Sequence, residues 1–481
     1  MSALLLSAAL GLPILAAILM LFVPVRQAPW WGLGAAIIIL AASCALLAGR
    51  EHFGMWHEVN VRWVSNLGVN WHLGVDGLSW PLIGLTALLV VGCAAYLLDR
   101  PVQRDVRQLL ALIFVLQFAL VGVFLALDTI VFFVFFELTL PPMYAIIAGW
   151  GGAKRTYAAR KFALYTLVGS ALLLLGVVLL SIDAGTTNLV TLQGGGHGSL
   201  AVFAILAVAF AVKSPLWPLH TWLPDAHTEA PTVGSVLLAG VLLKLGTYGF
   251  IRVGVGTMPD AAADASPVIG IFAVGAIVIG ALICLAQTEL KRLIAYSSVG
   301  HMGFVLLGIA AGTTAGLQAA VIANVAHGFI TGLLFVLVGI IKERYGTGEL
   351  AQLGGIRFSA PRLAAIFGLA TIASFGLPGL AGFWGEAFAI VATVQRGGGL
   401  WMTLASCAAI GAALTVAYFL RVLRQVIARP ADAVQPTSGW SFGEVIAVVP
   451  LVLGVLVLGL WPNGVLSLSL GPVTQIAEAL P

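Results

Sequence analysis

The sequence predicts an all-α polytopic membrane protein. Of 481 residues, 60% are hydrophobic and only 9% are charged, where soluble domains carry roughly 25% charged residues. Mean hydropathy is +1.07. The apolar residues also fall into runs near the length of about 20 that one helix needs to cross a bilayer.

Fourteen such runs are expected, at 3–23, 30–49, 78–98, 107–126, 128–149, 162–182, 200–219, 231–251, 266–286, 294–313, 316–341, 363–395, 399–420 and 444–461. The first has no basic stretch before it, so it reads as a retained span and not a cleaved leader. The longest outer loop is 50–77. There Val59–Val64 and Val69–Leu73 each alternate around Asn66-Leu67-Gly68. This fits a small hairpin, or an irregular loop with tryptophans at headgroup level. The seventh span is broken by Pro215 and Pro218. The twelfth is too long for one straight helix and breaks near Leu377-Pro378-Gly379.

Charge supports this count. The side facing the termini holds four basic residues, Arg50, Arg62, Arg252 and Arg396; the opposite side holds seventeen. The positive-inside rule then puts both termini outside the cytoplasm. No basic run is longer than a pair such as Lys154-Arg155 or Lys291-Arg292, so nucleic acid is not an expected partner. The four cysteines stand singly, with neither metal-ligand spacing nor a disulfide framework.

Spans 4–8 and 9–13 form two sets of five, each with its broken helix fourth. An odd count requires the second set to be inverted, and paired interruptions point to a transport site. The expected organisation is 1–106 for spans 1–3 with the external loop, 107–252 for the first repeat, 266–424 for the second, and 425–481 for span 14 and a tail.

Four charged side chains fall clearly within spans: Glu137, Lys213, Lys244 and Glu386. A charge at mid-bilayer costs at least about 2.5–3.5 kcal/mol and faces protein or water. A buried carboxylate near a buried lysine holds both ionised, and separating them frees the lysine to lose its proton. That makes a switchable proton carrier. A static ion pair would be the alternative, but such pairs seldom add net stability. His327 shares a helical face with Asn324 and Thr331 and has a pKa suited to proton relay. His301, His220, His227 and Asp225 are accessory candidates, the last three around the break after span 7. No Gly-rich dinucleotide loop, cysteine cluster or P-loop is visible. A haem held by His301 and His327, or a passive membrane anchor, would be the readings from other classes.

Several stretches resemble the antiporter-like subunits of proton-pumping NADH:quinone oxidoreductase, respiratory complex I. They are GVDGLSWPLIGLTALL (74–89), FFELTLPPMY (135–144), PLWPLHTWLPDAHTEAPTVGSVLLAGVLLKLGTYGFIR (215–252), LKRLIAYSSVGHMGFVLLGI (290–309) and FGLPGLAGFWGEA (375–387). They are spread over spans 3–12. DAHTEAPTVGSVLLAG and Glu386, where related subunits carry lysine, favour the M type. The resemblance implies that Glu137 tunes Lys213, Lys244 is the central relay, His327 links two half-channels and Glu386 is the outward carrier. It implies no cofactor or metal on this chain, with NADH, FMN, iron–sulfur clusters and quinone on partner subunits. The implied partners are L-type and N-type antiporter-like subunits, small membrane subunits and the lipid of the cell inner membrane. The same fold also serves multisubunit sodium/proton antiporters and membrane-bound hydrogenases, which remain the alternative.

Overall fold

A computed structural model describes residues 2–51, 53–100, 104–429 and 439–481. It is helical apart from one two-stranded hairpin. Among the described residues, eleven helices are long and apolar enough to cross a membrane, and three shorter apolar ones, Trp80–Tyr96, Leu200–Lys213 and Pro361–Ser374, accompany them.

The loop after the second helix resolves as the hairpin. Strand His57–Val64 pairs antiparallel with Val69–Val75, placing Val59 opposite Leu73 and Val61 opposite Trp71. A 3₁₀ turn at Ser65–Leu67 connects them. Trp63 meets Trp71 edge-on, and Trp71 leans on Phe135, so the hairpin is fastened to the helices by aromatic contacts.

Burial grades outward from two central helices. The helix over Thr232–Val255 is buried throughout its apolar window, and Thr314–Tyr345 nearly so. Arg155–Ala184, by contrast, exposes Leu164, Val168 and Ile182. In a membrane chain such apolar exposure is the surface offered to lipid or to neighbouring subunits. Helix Leu290–Ala311 packs between Pro259–Ala286 and Thr314–Tyr345, and the latter also packs on Ala381–Arg396.

Proline chemistry sets the interruptions. The Leu200 helix ends at Lys213, the chain runs irregularly through Pro215 and Pro218, and a short helix follows at Trp222–Glu229. Pro361–Ser374 and Ala381–Arg396 are separate helices around Phe375–Leu380. A further interruption was not expected. The run 128–149 divides at Thr139 into Thr129–Leu138 and Leu140–Trp150, because Pro141 and Pro142 cannot donate backbone hydrogen bonds. The Thr232–Val255 helix is also irregular, with π-helical turns at Leu238–Leu242 and Phe250–Val255 flanking Leu243–Gly249.

The tail after the last expected span is ordered. Asn463–Glu478 is a helix. It returns to the Thr314–Tyr345 helix, where Gln318 Nε2 donates to Leu466 O and Ser469 Oγ donates to Gln318 Oε1, both at 3.3 Å. At the strongly basic end, Arg100 bridges Glu343 (2.7 Å) and Glu444 (3.0 Å), and Arg344 also meets Glu444. These pairs tie three helix ends together.

Candidate functional site

Two buried polar groupings lie in the core. The first surrounds Lys213, the last residue of its helix. Its side chain is buried. Nζ donates to Thr139 Oγ1 at 3.1 Å and stands 4.6 Å above the Phe136 ring. Thr139 is available because the double proline opens the helix there. Glu137 lies two residues earlier and acts on Lys213 electrostatically. Its Oε1 is buried without a hydrogen-bond partner. Among the described residues, no ion pair within 4.0 Å joins it to Lys213.

The second grouping begins at Lys244, on the short α segment between the two π turns. Nζ donates to Ala239 O and lies 2.6 Å from His327 Nδ1. The two helices approach closely where glycines face each other: a Cβ on Gly328 would stand 2.9 Å from Gly240 O, so no larger residue fits without separating the backbones. The His327 Nε2 atom is buried without a partner. The His327 ring lies 5.6 Å from that of His301, centroid to centroid. His301 Nδ1 is 3.0 Å from Glu386 Oε1, and Nε2 is 3.1 Å from Ser374 Oγ. Glu386 reaches this position because Gly385 packs on Ala323, where a Cβ would sit 2.5 Å from the Ala323 Cβ. His301, His327, Ser374 and Glu386 share a cavity with about 20 Å³ in which a water centre fits. A space of that size holds about one water. The two ring systems can therefore be joined by a single bridging molecule.

The other expected residues separate into distinct surroundings. Asn324 accepts from Thr247 Oγ1 at 2.9 Å and donates to Ala320 O, and not to Lys244. Asp225 is paired with Lys161 at 2.7 Å and Arg292 at 3.3 Å. His220 lies edge-on to Tyr296. His227 stacks on Phe335 at 4.6 Å, and both its ring nitrogens are buried without partners.

The expectation of four charges within spans is too low. Arg252, placed in an outer loop by the sequence, is fully buried; it pairs with Asp76 at 2.5 Å and its Nε donates to Tyr248 Oη at 3.2 Å. Lys291, counted among the loop cations, is buried as well, and its Nζ donates to Ala230 O at 2.5 Å. In both cases the helix extends past the run of apolar letters: Thr232–Val255 continues beyond residue 251, and Leu290–Ala311 begins before residue 294. The adjacent KR and FIR spellings gave no warning. Lys291 borders a vestibule with about 410 Å³ open to water centres, also lined by Glu229, Lys342, Glu343, Arg100 and Tyr96. Glu289 stands just before the Lys291 helix. Burial lifts its carboxyl above the usual carboxylate range, against the opposing pull of the Arg292 N–H, Lys342 and Lys291. Lys291 and Lys244 both act electrostatically on His227.

Among the described residues, no three His, Cys, Asp or Glu side chains gather as a metal site. The chemistry on view is proton exchange between lysine, imidazole and carboxylate.

A family model described as "NADH:quinone oxidoreductase/Mrp antiporter, TM" matches residues 126–411. The NADH-quinone oxidoreductase subunit M of Rhodobacter capsulatus is 39% identical over 468 residues, covering 93% of this chain and 90% of that one. An NAD(P)H-quinone oxidoreductase chain 4 of Synechococcus sp. (strain JA-3-3Ab) is 37% identical over 499 residues, covering 98% and 92%. A chain in the structure of respiratory complex I from Thermus thermophilus with bound NADH superposes with a TM-score of 0.90 at 30% identity, covering 99% of this chain and 100% of that chain. A chain of the Mrp complex from Dietzia sp. DQ12-45-1b shares the fold with a TM-score of 0.80 at 23% identity, covering 99% and 100%.

Proposed function

The chain belongs to the NADH:quinone oxidoreductase/Mrp antiporter family, and we propose that it is the M-type subunit of a complex I, carrying protons along Glu137, Lys213, Lys244, His327, His301 and Glu386. It is a multi-pass inner-membrane protein and a proton-translocating, antiporter-like subunit of a complex I/Mrp-type assembly. It is a membrane component of a larger redox-driven pump and performs no redox step itself. NADH, FMN, iron–sulfur clusters and quinone belong in this reading to partner subunits, with L-type and N-type subunits as membrane neighbours.

The observation that carries the proposal is the buried line from Lys244 through His327 and His301 to Glu386. Each member both accepts and releases a proton, and the one gap between rings has room for a water. Lys213 and Glu137 supply the switch. When the carboxylate moves away, the lysine loses its counter-charge and gives up its proton; when it returns, the lysine regains one. The vestibule at Lys291 favours a direct cytoplasmic uptake route toward Lys244. Moving each charge against the membrane costs about 2.3 kcal/mol per 100 mV, which the redox reaction elsewhere must supply.

The finer architecture follows the same reading: fourteen crossings, with each broken helix counted as one span, both termini outside, and two inverted five-helix repeats at 107–252 and 266–424. The segments 1–106 and 425–481 flank them. The interruptions at Lys213 and before Glu386, each fourth in its set, support the repeat.

Inside-out vesicles carrying Lys213→Ala provide the test. NADH oxidation and vesicle acidification are followed together, with assembly checked on a native gel. An assembled complex whose acidification collapses supports the proposal. Unchanged NADH-driven acidification with loss of sodium/proton exchange would move the chain to the antiporter assembly instead.

A further inference from the structure

The geometry points to an anionic-phospholipid site in the arginine pocket at the basic end of helix Gly398–Ala428. The pocket is lined by Arg421, Arg424, Gln425, Ala428 and Arg429, with about 560 Å³ open to water centres and, among the described residues, no carboxylate in its wall. Its cations are held in place by neutral partners. The terminal nitrogens of Arg421 donate to Leu285 O and Gln287 O, and Arg429 Nη1 donates to Ala351 O at 3.0 Å. Carbonyls fix the guanidinium groups without cancelling their charge. The Arg424 side chain makes no hydrogen bond to any described residue, and the Arg421 Nε and Gln425 Oε1 atoms are buried without partners. Three cations without an ion-pair partner among the described residues share one pocket and repel each other, and an anion relieves that repulsion. Arginine suits a phosphodiester because its planar fork donates two hydrogen bonds to two phosphate oxygens. The Gln425 amide oxygen would accept from a headgroup hydroxyl, such as that of a phosphatidylglycerol.

The surroundings favour a lipid over free phosphate. Leu420 and Phe358 beside the pocket are 51% and 63% exposed, and Ile410 further along the helix is 59% exposed. Acyl chains have an apolar path away from the arginines. Assignment to the cytoplasmic leaflet rests on the orientation proposed above; binding itself does not.

Native mass spectrometry of the purified complex tests the site. The probes are dioleoylphosphatidylglycerol, dioleoylphosphatidylcholine and inorganic phosphate, added separately to delipidated complex. The intact complex should retain phosphatidylglycerol over phosphatidylcholine. Arg424→Gln should weaken that retention about fivefold, the value of one cation near a charged headgroup, and Arg424→Gln with Arg429→Gln should weaken it further. The single variant alters a side chain without a hydrogen bond, so it decides the matter if the double variant fails to assemble. Equal retention by variant and parent, or equal retention of both lipids, overturns the proposal. Arginine-dependent binding of phosphate alone, with no preference between lipids, would make the pocket a free-anion site and overturns it too. Pumping is not the readout, so a failure here leaves the proton-relay reading untouched.

Discussion

The two polar groupings in this chain contain the same kinds of residues and are built differently. At Lys213 the ammonium rests on a hydroxyl and a phenyl ring, and its carboxylate stays out of contact. From Lys244 to Glu386 the groups are held within hydrogen-bond distance, apart from one gap the size of a water. The first is loosely held at a helix break, where small backbone changes alter charge separation. The second is fixed by close helix packing at Gly328 and Gly385. A pump needs both: a place where electrostatic energy changes, and a path that conducts once it has.

That contrast orders the expected effects. Lys244→Met should cut proton transfer through this chain by about a hundredfold, the lower end of proton-transfer effects, lowering acidification per NADH oxidised with assembly intact on a native gel. Substantial pumping in that variant would mean the second grouping is not in series with the first. His301→Ala should come next, because it removes the only described contact between the Glu386 carboxylate and a proton carrier; unaltered acidification would show that His327 reaches Glu386 by water alone. Glu137→Gln should preserve the fold and lower the proton-to-electron ratio by about two- to fivefold through the lost pull on Lys213. Should the ratio stay unchanged, Lys213 is set by its local contacts and not by the carboxylate. Lys291→Met should slow acidification only modestly if a second uptake route exists, most visibly when external protons are scarce at high pH. The smallest effect on pumping belongs to Asn324→Ala. It breaks a hydrogen bond to Thr247 worth about 1 kcal/mol, read as a lower thermal midpoint of the complex, with pumping per electron retained.

Much of the proposed relay is legible in the letters. Glu137, Lys213, Lys244 and Glu386 announce themselves because a charge inside an apolar run is costly. The breaks near Lys213 and Pro378 follow from proline's missing donor. Other residues were less legible. His301 is one polar letter among Tyr296, Ser297 and Ser298, and nothing local distinguishes it from a packing histidine. Its place between His327 and Glu386 depends on three helices meeting. Arg252 and Lys291 looked like loop charges because they sit at the edges of apolar runs. Their burial comes from Asp76 and Ala230, far away in sequence. Thr139 became a lysine partner only because the helix opens at the two prolines beside it.

The sequence by itself determined the class of protein, the approximate crossings and the costly charges, since these depend on composition, run length and the fixed chemistry of single residues. Tertiary structure decided which charges meet. Whether Lys244 touches His327, whether Asn324 joins the path and whether Arg252 is paired are matters of distances between helices. Those distances are set by the close packing of small residues such as Gly328 and Gly385 against neighbours that no local pattern reveals.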